Sequence, residues 1–176
     1  MKLPKVPQRT ATSFSFAMIE RTLKECFADR QFSPEEEVTK VLEFFFGAGQ
    51  PECAFCGSSE IKRWDHLLPI SKGGDTVLGN MVPACAQCDD SKQGKPFEDW
   101  MVSNAKYSPK SRGVKDVSQR IKRIKAYIQH FGYVPRSEEE RLNKHELERL
   151  KIIRSKLLDI RGDIEMLIKD YRARTM

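Results

Sequence analysis

Two CxxC motifs, Cys53/Cys56 and Cys85/Cys88, constrain the fold of this 176-residue chain more than any other feature. Two such pairs, separated by 28 residues, can supply four thiolates to one tetrahedral zinc ion. The ion would pin together the two ends of the intervening segment. In a reducing compartment, cysteines with this spacing are metal ligands and not disulfides. The sequence therefore predicts a structural Zn²⁺ site near the middle of the chain.

Helical patterns flank the cysteine segment, and extended patterns lie inside it. Residues 12–30 place apolar side chains at intervals of three and four, and a second helix is indicated just after Ser33. Two short extended runs, over 61–70 and 80–84, precede a short helix that begins near Cys88. These patterns predict an α+β fold that is mostly helical, with a small zinc-stapled module in the order strand, loop, strand, helix between N-terminal and C-terminal helices.

The C-terminal part of the chain has two apolar heptad seams, separated by residues 132–137. Their members are Val114, Val117, Ile121, Ile124, Ile128 and Phe131, and then Leu150, Ile153, Leu157, Ile160, Ile164, Leu167 and Tyr171. Such seams predict an antiparallel helical hairpin or coiled coil. The second helix is longer, so part of its seam should meet the N-terminal helices, a second copy of the chain, or another protein. The predicted domains are 1–50, 51–104 and 105–176.

The segment between the cysteine pairs contains residue types suited to phosphodiester hydrolysis. That reaction needs a base to activate water and a divalent cation to neutralise charge on the phosphate. His66 suits the base because its pKa lies near neutrality, and the carboxylate of Asp65 suits Mg²⁺ or Mn²⁺. Neighbouring residues on a strand face opposite ways, so a twist or bend must let each reach its target. Asp89 would complete the cation site, or Asp90 if the helix begins one residue later.

A resemblance to the HNH endonucleases, the ββα-metal nucleases in their zinc-stapled form, is carried by two runs, CAFCG and WDHLLPISKGGDTVLGNMVPACAQCDDSK, and ends at Lys95. It implies that His66 is the general base acting on water and that Asp65 is a ligand of the catalytic cation. It also implies that Asn80 braces the loop that orients the imidazole. The last motif position, usually histidine or asparagine, falls on Asp89. This departure leaves the metal preference open.

The charge distribution indicates where a nucleic acid would bind. Residues 51–100 carry a net charge of −3 and residues 101–176 a net charge of +9. Between positions 106 and 125 the chain has eight basic residues and a single acidic residue, Asp116. The basic residues are Lys106, Lys110, Arg112, Lys115, Arg120, Lys122, Arg123 and Lys125. A tract this dense is a candidate for holding a phosphate backbone, with an affinity that falls as salt rises. The residues predicted to contact the substrate are Lys92, Lys95, Arg120, Lys122 and Arg123. The expected partner is DNA, and RNA is not excluded.

Two other functions fit the same residues. The first is a zinc-stabilised nucleic-acid-binding module without catalysis. The second is a nuclease subunit of a larger antiphage-defence complex, for example with an ATPase partner bound through the C-terminal helices. A homodimer could also form through these helices.

The sequence has no apolar run long enough for a membrane span, and its first residues lack the apolar core of a signal peptide. We therefore expect a protein of the bacterial or phage cytoplasm.

Overall fold

The computed structural model of the chain describes residues 11–175. Its helices are α1 (Ala11–Phe27), α2 (Pro34–Phe46), α3 (Ala86–Lys92), α4 (Phe97–Met101), α5 (Val117–His130), α6 (Glu138–Arg141) and α7 (Lys144–Thr175). Its two strands, β1 (Arg63–His66) and β2 (Met81–Ala84), pair antiparallel. The fold is thus α+β and mostly helical, with a ββα module at its centre, which confirms the predicted fold class. Across the described residues, no helix combines the length and apolar character needed to cross a membrane.

The described chain divides into two compact units. One unit runs from Ala28 to Arg136 and contains α2 to α5 and both strands. The other combines the described residues up to Phe27 with those from Ser137 onward, and it contains α1, α6 and α7. The cysteines, the acidic residues and the histidine singled out from the sequence all lie in the first unit.

A continuous apolar core holds the first unit together. Its largest fully buried side chains include Phe45 of α2, Phe55 beside the first cysteine pair, Trp100 of α4 and Tyr127 of α5. The rings of Phe55 and Trp100 meet edge to face at 5.3 Å, and those of Phe45 and Tyr127 lie 4.9 Å apart. Helices α2, α4 and α5 therefore pack directly around the cysteine module and help to fix its strands.

The strand register sets the two faces of the hairpin. Asp65 lies opposite Val82, and His66 lies opposite Met81. Because side chains alternate along a strand, Asp65 is buried on one face while His66 is half-buried on the other. The predicted separation of these two side chains onto opposite faces is confirmed.

Tyr127 ties α5 to the chain that enters β2. Its hydroxyl donates to the carbonyl of Met81 at 2.8 Å and accepts from the N–H of Gly79 at 3.1 Å. A second tyrosine, Tyr133, accepts from the N–H of Asp75 at 3.1 Å. These phenols satisfy backbone groups of a loop that has little regular structure of its own.

The second unit is organised by α7. Helix α1 packs against α7, and Leu150 of α7 is buried. Arg154 binds two carboxylates, Glu20 of α1 at 3.0 Å and Glu138 of α6 at 2.6 Å. Ser137 forms a capping box with Glu140 at the start of α6. Many apolar side chains farther along α7 are exposed, among them Leu158, Met166, Leu167 and Tyr171.

The contacts group the two C-terminal seam helices differently from the predicted hairpin. Helix α5 belongs with the cysteine module and packs on α2 and α4, whereas α7 belongs with α1. A heptad seam indicates that a helix packs against an apolar partner, but it does not indicate which partner. In this structure, Ile124 and Tyr127 of α5 pack in the core of the cysteine unit. The sequence left three possible partners for the seam of α7, and the structure shows one of them, the N-terminal helix α1, packed against α7. The sequence boundaries at 50/51 and 104/105 stay predictions.

Candidate active site and zinc centre

The four paired cysteines form a compact cluster. Their sulfur atoms all lie within 4.8 Å of one another, and they are the only described group of three or more cysteine, histidine or acidic ligand atoms that could hold a metal ion. A tetrahedral zinc with bonds of about 2.3 Å requires sulfur atoms about 3.8 Å apart. The sulfurs of Cys56 and Cys85 are 3.8 Å apart. The donor set and its spacing therefore fit Zn²⁺, as the two CxxC pairs predicted.

Local backbone turns build the two halves of this cluster. At the first pair, the N–H of Gly57 donates to the carbonyl of Cys53 at 2.9 Å, with Gly57 at a φ of +77°. Only glycine adopts that conformation without strain. At the second pair, the N–H groups of Cys88 and Asp89 donate to the carbonyl of Cys85, which directly precedes α3. Each CxxC spacing thus closes a tight turn that brings its two thiols together.

Asp65 faces α3 and is paired with a buried lysine. The ammonium nitrogen of Lys92 lies 3.3 Å from Oδ1 and 3.2 Å from Oδ2 of Asp65, and it also donates to the carbonyl of His66. The Lys92 side chain is 0% exposed. Burial raises the pKa of Asp65 to about 6 against the opposing charge of Lys92. Burial also lowers the pKa of Lys92. The lysine predicted to contact a phosphate is therefore turned inward, towards the carboxylate.

His66 is held by a threonine that the sequence analysis did not single out. Nε2 of His66 lies 2.9 Å from the hydroxyl oxygen of Thr76. The backbone of Thr76 is itself fixed, because its N–H donates to the carbonyl of Asp29 and its carbonyl accepts from the N–H of Phe32. The histidine ring is thus anchored through one nitrogen to a braced segment. The only sequence signal for Thr76 was its place between the Gly-Gly turn and Asn80.

Asn80 braces the loop between the strands. Its side-chain oxygen accepts from the N–H of Leu68 at 2.8 Å. Its side-chain nitrogen donates to the carbonyls of Leu68 at 3.1 Å and Asp75 at 2.6 Å. The residue is fully buried. These contacts span the loop from the end of β1 to the segment that contains Thr76, so Asn80 holds both sides of the histidine's surroundings.

The acidic residues of α3 are paired with an arginine of β1. Nη1 of Arg63 lies 2.6 Å from Asp89 and 2.5 Å from Asp90. Arg63 and Asp65 are two residues apart on β1 and therefore share one face of the strand. Arg63 could have been identified in the sequence from this spacing. The charge of Asp89 also acts to raise the pKa of Asp65, which places the two carboxylates in one electrostatic neighbourhood.

A catalytic cation at this face would be held by carboxylate oxygens. Oδ2 of Asp65 is buried without a hydrogen bond, although the ammonium of Lys92 is near it. A buried oxygen without a hydrogen bond and a second carboxylate close by are donor chemistry that Mg²⁺ and Mn²⁺ accept. Asp65 and Asp89 therefore fit such an ion in donor type. Lys92 and Arg63 supply the positive charge beside them in this structure.

The predicted substrate contacts separate into two kinds. Lys122 and Arg123 are exposed on α5, and Lys95 is exposed just beyond α3. Arg120, in contrast, is only 15% exposed and pairs with Glu52 and Asp116, each at 3.0 Å. Its partner Asp116 lies four residues earlier, a spacing that predicts such a pair on a helix.

Comparison with known protein families gives a match for the central segment of the chain. Residues 53–95 match the family model described as HNH endonuclease. The match includes both cysteine pairs and the Asp65, His66, Asn80 and Asp89 positions. No curated protein and no solved structure matches the chain.

Proposed function

We propose that this chain is a metal-dependent HNH endonuclease that hydrolyses phosphodiester bonds in DNA, with His66 as the general base. The observation that carries the proposal is the anchoring of His66 by Thr76 inside the segment that matches the family. A general base needs a fixed ring and a defined tautomer. The Thr76 contact and the Asn80 brace support a fixed ring, and the tautomer with the proton on Nε2 is part of the proposal.

His66 acts on water through the ring nitrogen opposite the one that Thr76 binds. In the proposed reaction the proton is on Nε2, which donates it to the threonine hydroxyl, and Nδ1 accepts the proton of the attacking water. Asn80 keeps the loop fixed while this occurs, because it bonds on both sides of it. The half-buried position of His66 allows a phosphate to approach the ring from solvent.

Asp65 and Asp89 would hold the divalent cation, Mg²⁺ or Mn²⁺. When bound, such an ion stabilises the negative charge that develops on the leaving 3′ oxygen. Arg63 holds Asp89 from the exposed side, with 44% of its own side chain exposed. A phosphate backbone can draw this guanidinium away and leave Asp89 to serve as a ligand. The zinc centre would have all four positions filled by sulfur, so its role is structural.

The exposed members of the basic tract are the proposed contacts for the DNA backbone. Lys106, Lys110, Lys115, Lys122 and Arg123 are exposed, and they belong to the same unit as His66. Point charges of this kind contact phosphates without reading bases, and their contribution falls as salt rises. Plasmid DNA is accordingly a suitable first substrate.

The test compares wild-type protein with His66→Ala on plasmid, single-stranded DNA and RNA, in buffers with Mg²⁺, with Mn²⁺ or with neither. His145→Ala is the matched control, since His145 is an exposed residue of α7 in the other unit. We expect His66→Ala to lower the cleavage rate by about 10²- to 10⁴-fold and the control to have no effect. The zinc content of each sample is measured alongside. Cleavage that ignores both His66 and the added metal would refute the proposal.

A second candidate function is a zinc-stabilised nucleic-acid-binding module without catalysis. The observation that favours it is the pairing of both proposed cation ligands, Asp65 with Lys92 and Asp89 with Arg63. If these pairs persist when DNA is bound, the carboxylates never reach a metal ion. The same experiment separates the two functions, because a binding module retards DNA in gels and cleaves nothing in any metal.

A role within a larger assembly is a further extension of the proposal. The exposed apolar side chains of α7 supply a surface suited to another protein or a second copy. Light scattering on the purified chain, with and without a Leu158→Lys, Leu167→Lys double substitution, tests for self-association. An identical monomer mass for both proteins would exclude the homodimer.

A further inference from the structure

The guanidinium group of Arg112 bonds directly to a zinc-ligand sulfur. Nη2 of Arg112 lies 2.9 Å from Sγ of Cys88, and Nη1 lies 2.7 Å from Oε1 of Gln87. We infer that Arg112 is a positioning residue of the zinc centre, where it offsets the negative charge of the thiolates and slows loss of the metal. This role differs from the phosphate contact that its place in the basic tract predicts.

The backbone around Arg112 is fixed in a way that aims the side chain at the cysteines. Residues Lys110–Arg112 form one turn of 3₁₀ helix, which ends at Gly113 with a φ of +72°. The N–H of Arg112 donates to the carbonyl of Ser108, a fully buried residue. The Arg112 side chain therefore extends to Cys88 from a hydrogen-bonded turn and not from an irregular loop.

The charge of the zinc centre supplies the reason for a guanidinium at this place. Four thiolates around one Zn²⁺ leave a net charge of about −2 in a largely buried site. A positive group that donates an N–H to one of the sulfurs lowers that excess charge through a charge-assisted hydrogen bond. Groups that bond to metal ligands in this way typically change metal affinity by about 10- to 100-fold.

An arginine suits this geometry better than a lysine does. Its planar guanidinium donates to the Cys88 sulfur and the Gln87 amide oxygen at the same time. Two other cations of the tract pair with carboxylates instead, Arg120 with Glu52 and Lys125 with Glu98. Among the described residues of the tract, Arg112 is the one with a side-chain bond to a zinc-ligand sulfur.

The experiment measures zinc retention and does not depend on nuclease activity. Full-length wild type, Arg112→Gln and Arg112→Lys are loaded with one zinc, and the metal is then competed away with a chromophoric chelator. Arg123→Gln is the matched control, because Arg123 is an exposed arginine of the same tract. We expect Arg112→Gln to weaken zinc affinity about 10- to 100-fold, Arg112→Lys by less, and the control not at all.

The same samples are tested for DNA retention in gels at low salt. We expect Arg123→Gln to weaken binding, whereas the zinc-loaded Arg112→Gln protein binds as wild type does. Zinc affinity of Arg112→Gln equal to that of the control would overturn the inference. If Arg112→Gln is not recovered folded, Arg112→Lys takes its place under the same criterion, since a lysine cannot make both bonds.

Discussion

The ammonium nitrogen of Lys92 lies 3.2 Å from Oδ2 of Asp65, in a position where the lysine side chain is fully buried and the aspartate side chain is only 9% exposed. A buried charge pair of this kind contributes little by itself, because both charges had to leave water. Removal of one partner is costly, since the other charge is then buried without compensation. The helix α3 and the strand β1 are thus coupled through a buried ion pair, in addition to the more exposed pairs of Arg63 with Asp89 and Asp90.

We predict that Lys92→Met lowers the free energy of unfolding by about 3–5 kcal/mol, because Asp65 then has no counter-charge. The double variant Lys92→Met, Asp65→Asn should recover a large part of that loss. The control is Lys95→Met, an exposed lysine just beyond the same helix, which should change stability by less than about 0.5 kcal/mol. Urea unfolding in the presence of zinc measures all three. Equal stability of Lys92→Met and the control would contradict the observed pair.

The Gly73-Gly74 turn gives a second prediction, because the two glycines face different constraints. A Cβ on Gly74 would lie 1.9 Å from the carbonyl oxygen of Leu68, which is backbone and cannot move aside. A Cβ on Gly73 would meet nothing within 4 Å, although its φ is +86°. We expect Gly73→Ala to cost about 1–2 kcal/mol from backbone strain alone. Gly74→Ala should cost more and disturb the loop.

Thermal unfolding and zinc content of the two alanine variants check this ordering. Because Asn80 bonds to the same Leu68 carbonyl, Gly74→Ala should also loosen the Asn80 brace. Amide hydrogen exchange at Leu68 would then become faster in Gly74→Ala but not in Gly73→Ala. A Gly73→Ala variant that is the less stable of the two would argue against the loop geometry.

The hydroxyl of Thr76 is predicted to set the rate of the proposed reaction through His66. Thr76→Val keeps the shape of the side chain and removes the hydrogen bond to Nε2. We expect a loss of about tenfold in the single-turnover cleavage rate, the equivalent of one hydrogen bond of about 1.4 kcal/mol. Thr76→Ser should keep most of the activity. The pH–rate profile of Thr76→Val should also shift, because the His66 ring loses its hydrogen bond at Nε2. Identical profiles for valine and threonine would show that the contact has no part in the chemistry.

Removal of zinc is expected to unfold the cysteine module. The four thiols are buried or half-buried in the first unit's core, where one zinc ion would bind both cysteine pairs and hold them together. Cys85→Ser should therefore lower zinc content well below one per chain and lower the melting temperature. Elemental analysis and circular dichroism test this. A control, Cys26→Ser, replaces the cysteine that lies outside the cluster and should leave zinc content unchanged.

The acid stability of the α1–α6–α7 unit should depend on Arg154. Its hydrogen bond lowers the pKa of Glu138 below the usual 4.5. A carboxylate with a lowered pKa adds stability above its ordinary pKa, and that contribution is lost as pH falls through the lowered value. Arg154→Met should therefore destabilise at pH 7, and its difference from wild type should shrink below pH 4.5.

The expected loss at pH 7 is below about 1 kcal/mol for each pair, because the groups are partly exposed. The matched control is Arg161→Met, whose exposed pair with Glu165 lies on the same helix. Its effect should be smaller at every pH. Melting curves between pH 3 and 7 measure both variants, and a difference for Arg154→Met that grows with acidity would contradict the assignment.

Sequence patterns predicted those parts of the structure that depend on neighbouring residues. The CxxC spacing predicted the sulfur cluster, because two thiols three residues apart close a turn. Alternation along β1 predicted that Asp65 and His66 face opposite ways. Within each CxxC pair and along β1 the deciding interactions lie within a few residues of chain, whereas the meeting of the two cysteine pairs was predicted from metal-ligand chemistry.

The choice among distant partners was not predictable in the same way. Lys92 and Arg112 are basic residues that a sequence assigns to solvent or phosphate, yet each is aimed at an anionic group of its own fold. Thr76 binds His66 across ten residues of loop. Such pairings depend on how α3, α5 and the inter-strand loop pack together. Local sequence patterns do not indicate this packing.

The two hydrogen bonds of Tyr127 limit how this nuclease-like segment could be moved between proteins. The phenol holds Gly79 and Met81, yet it lies beyond the last residue of the HNH match at 95. A chimera that transplants residues 53–95 alone would leave these two backbone groups without the phenol that satisfies them. Any host that accepts the graft would have to supply an equivalent tyrosine from its own chain.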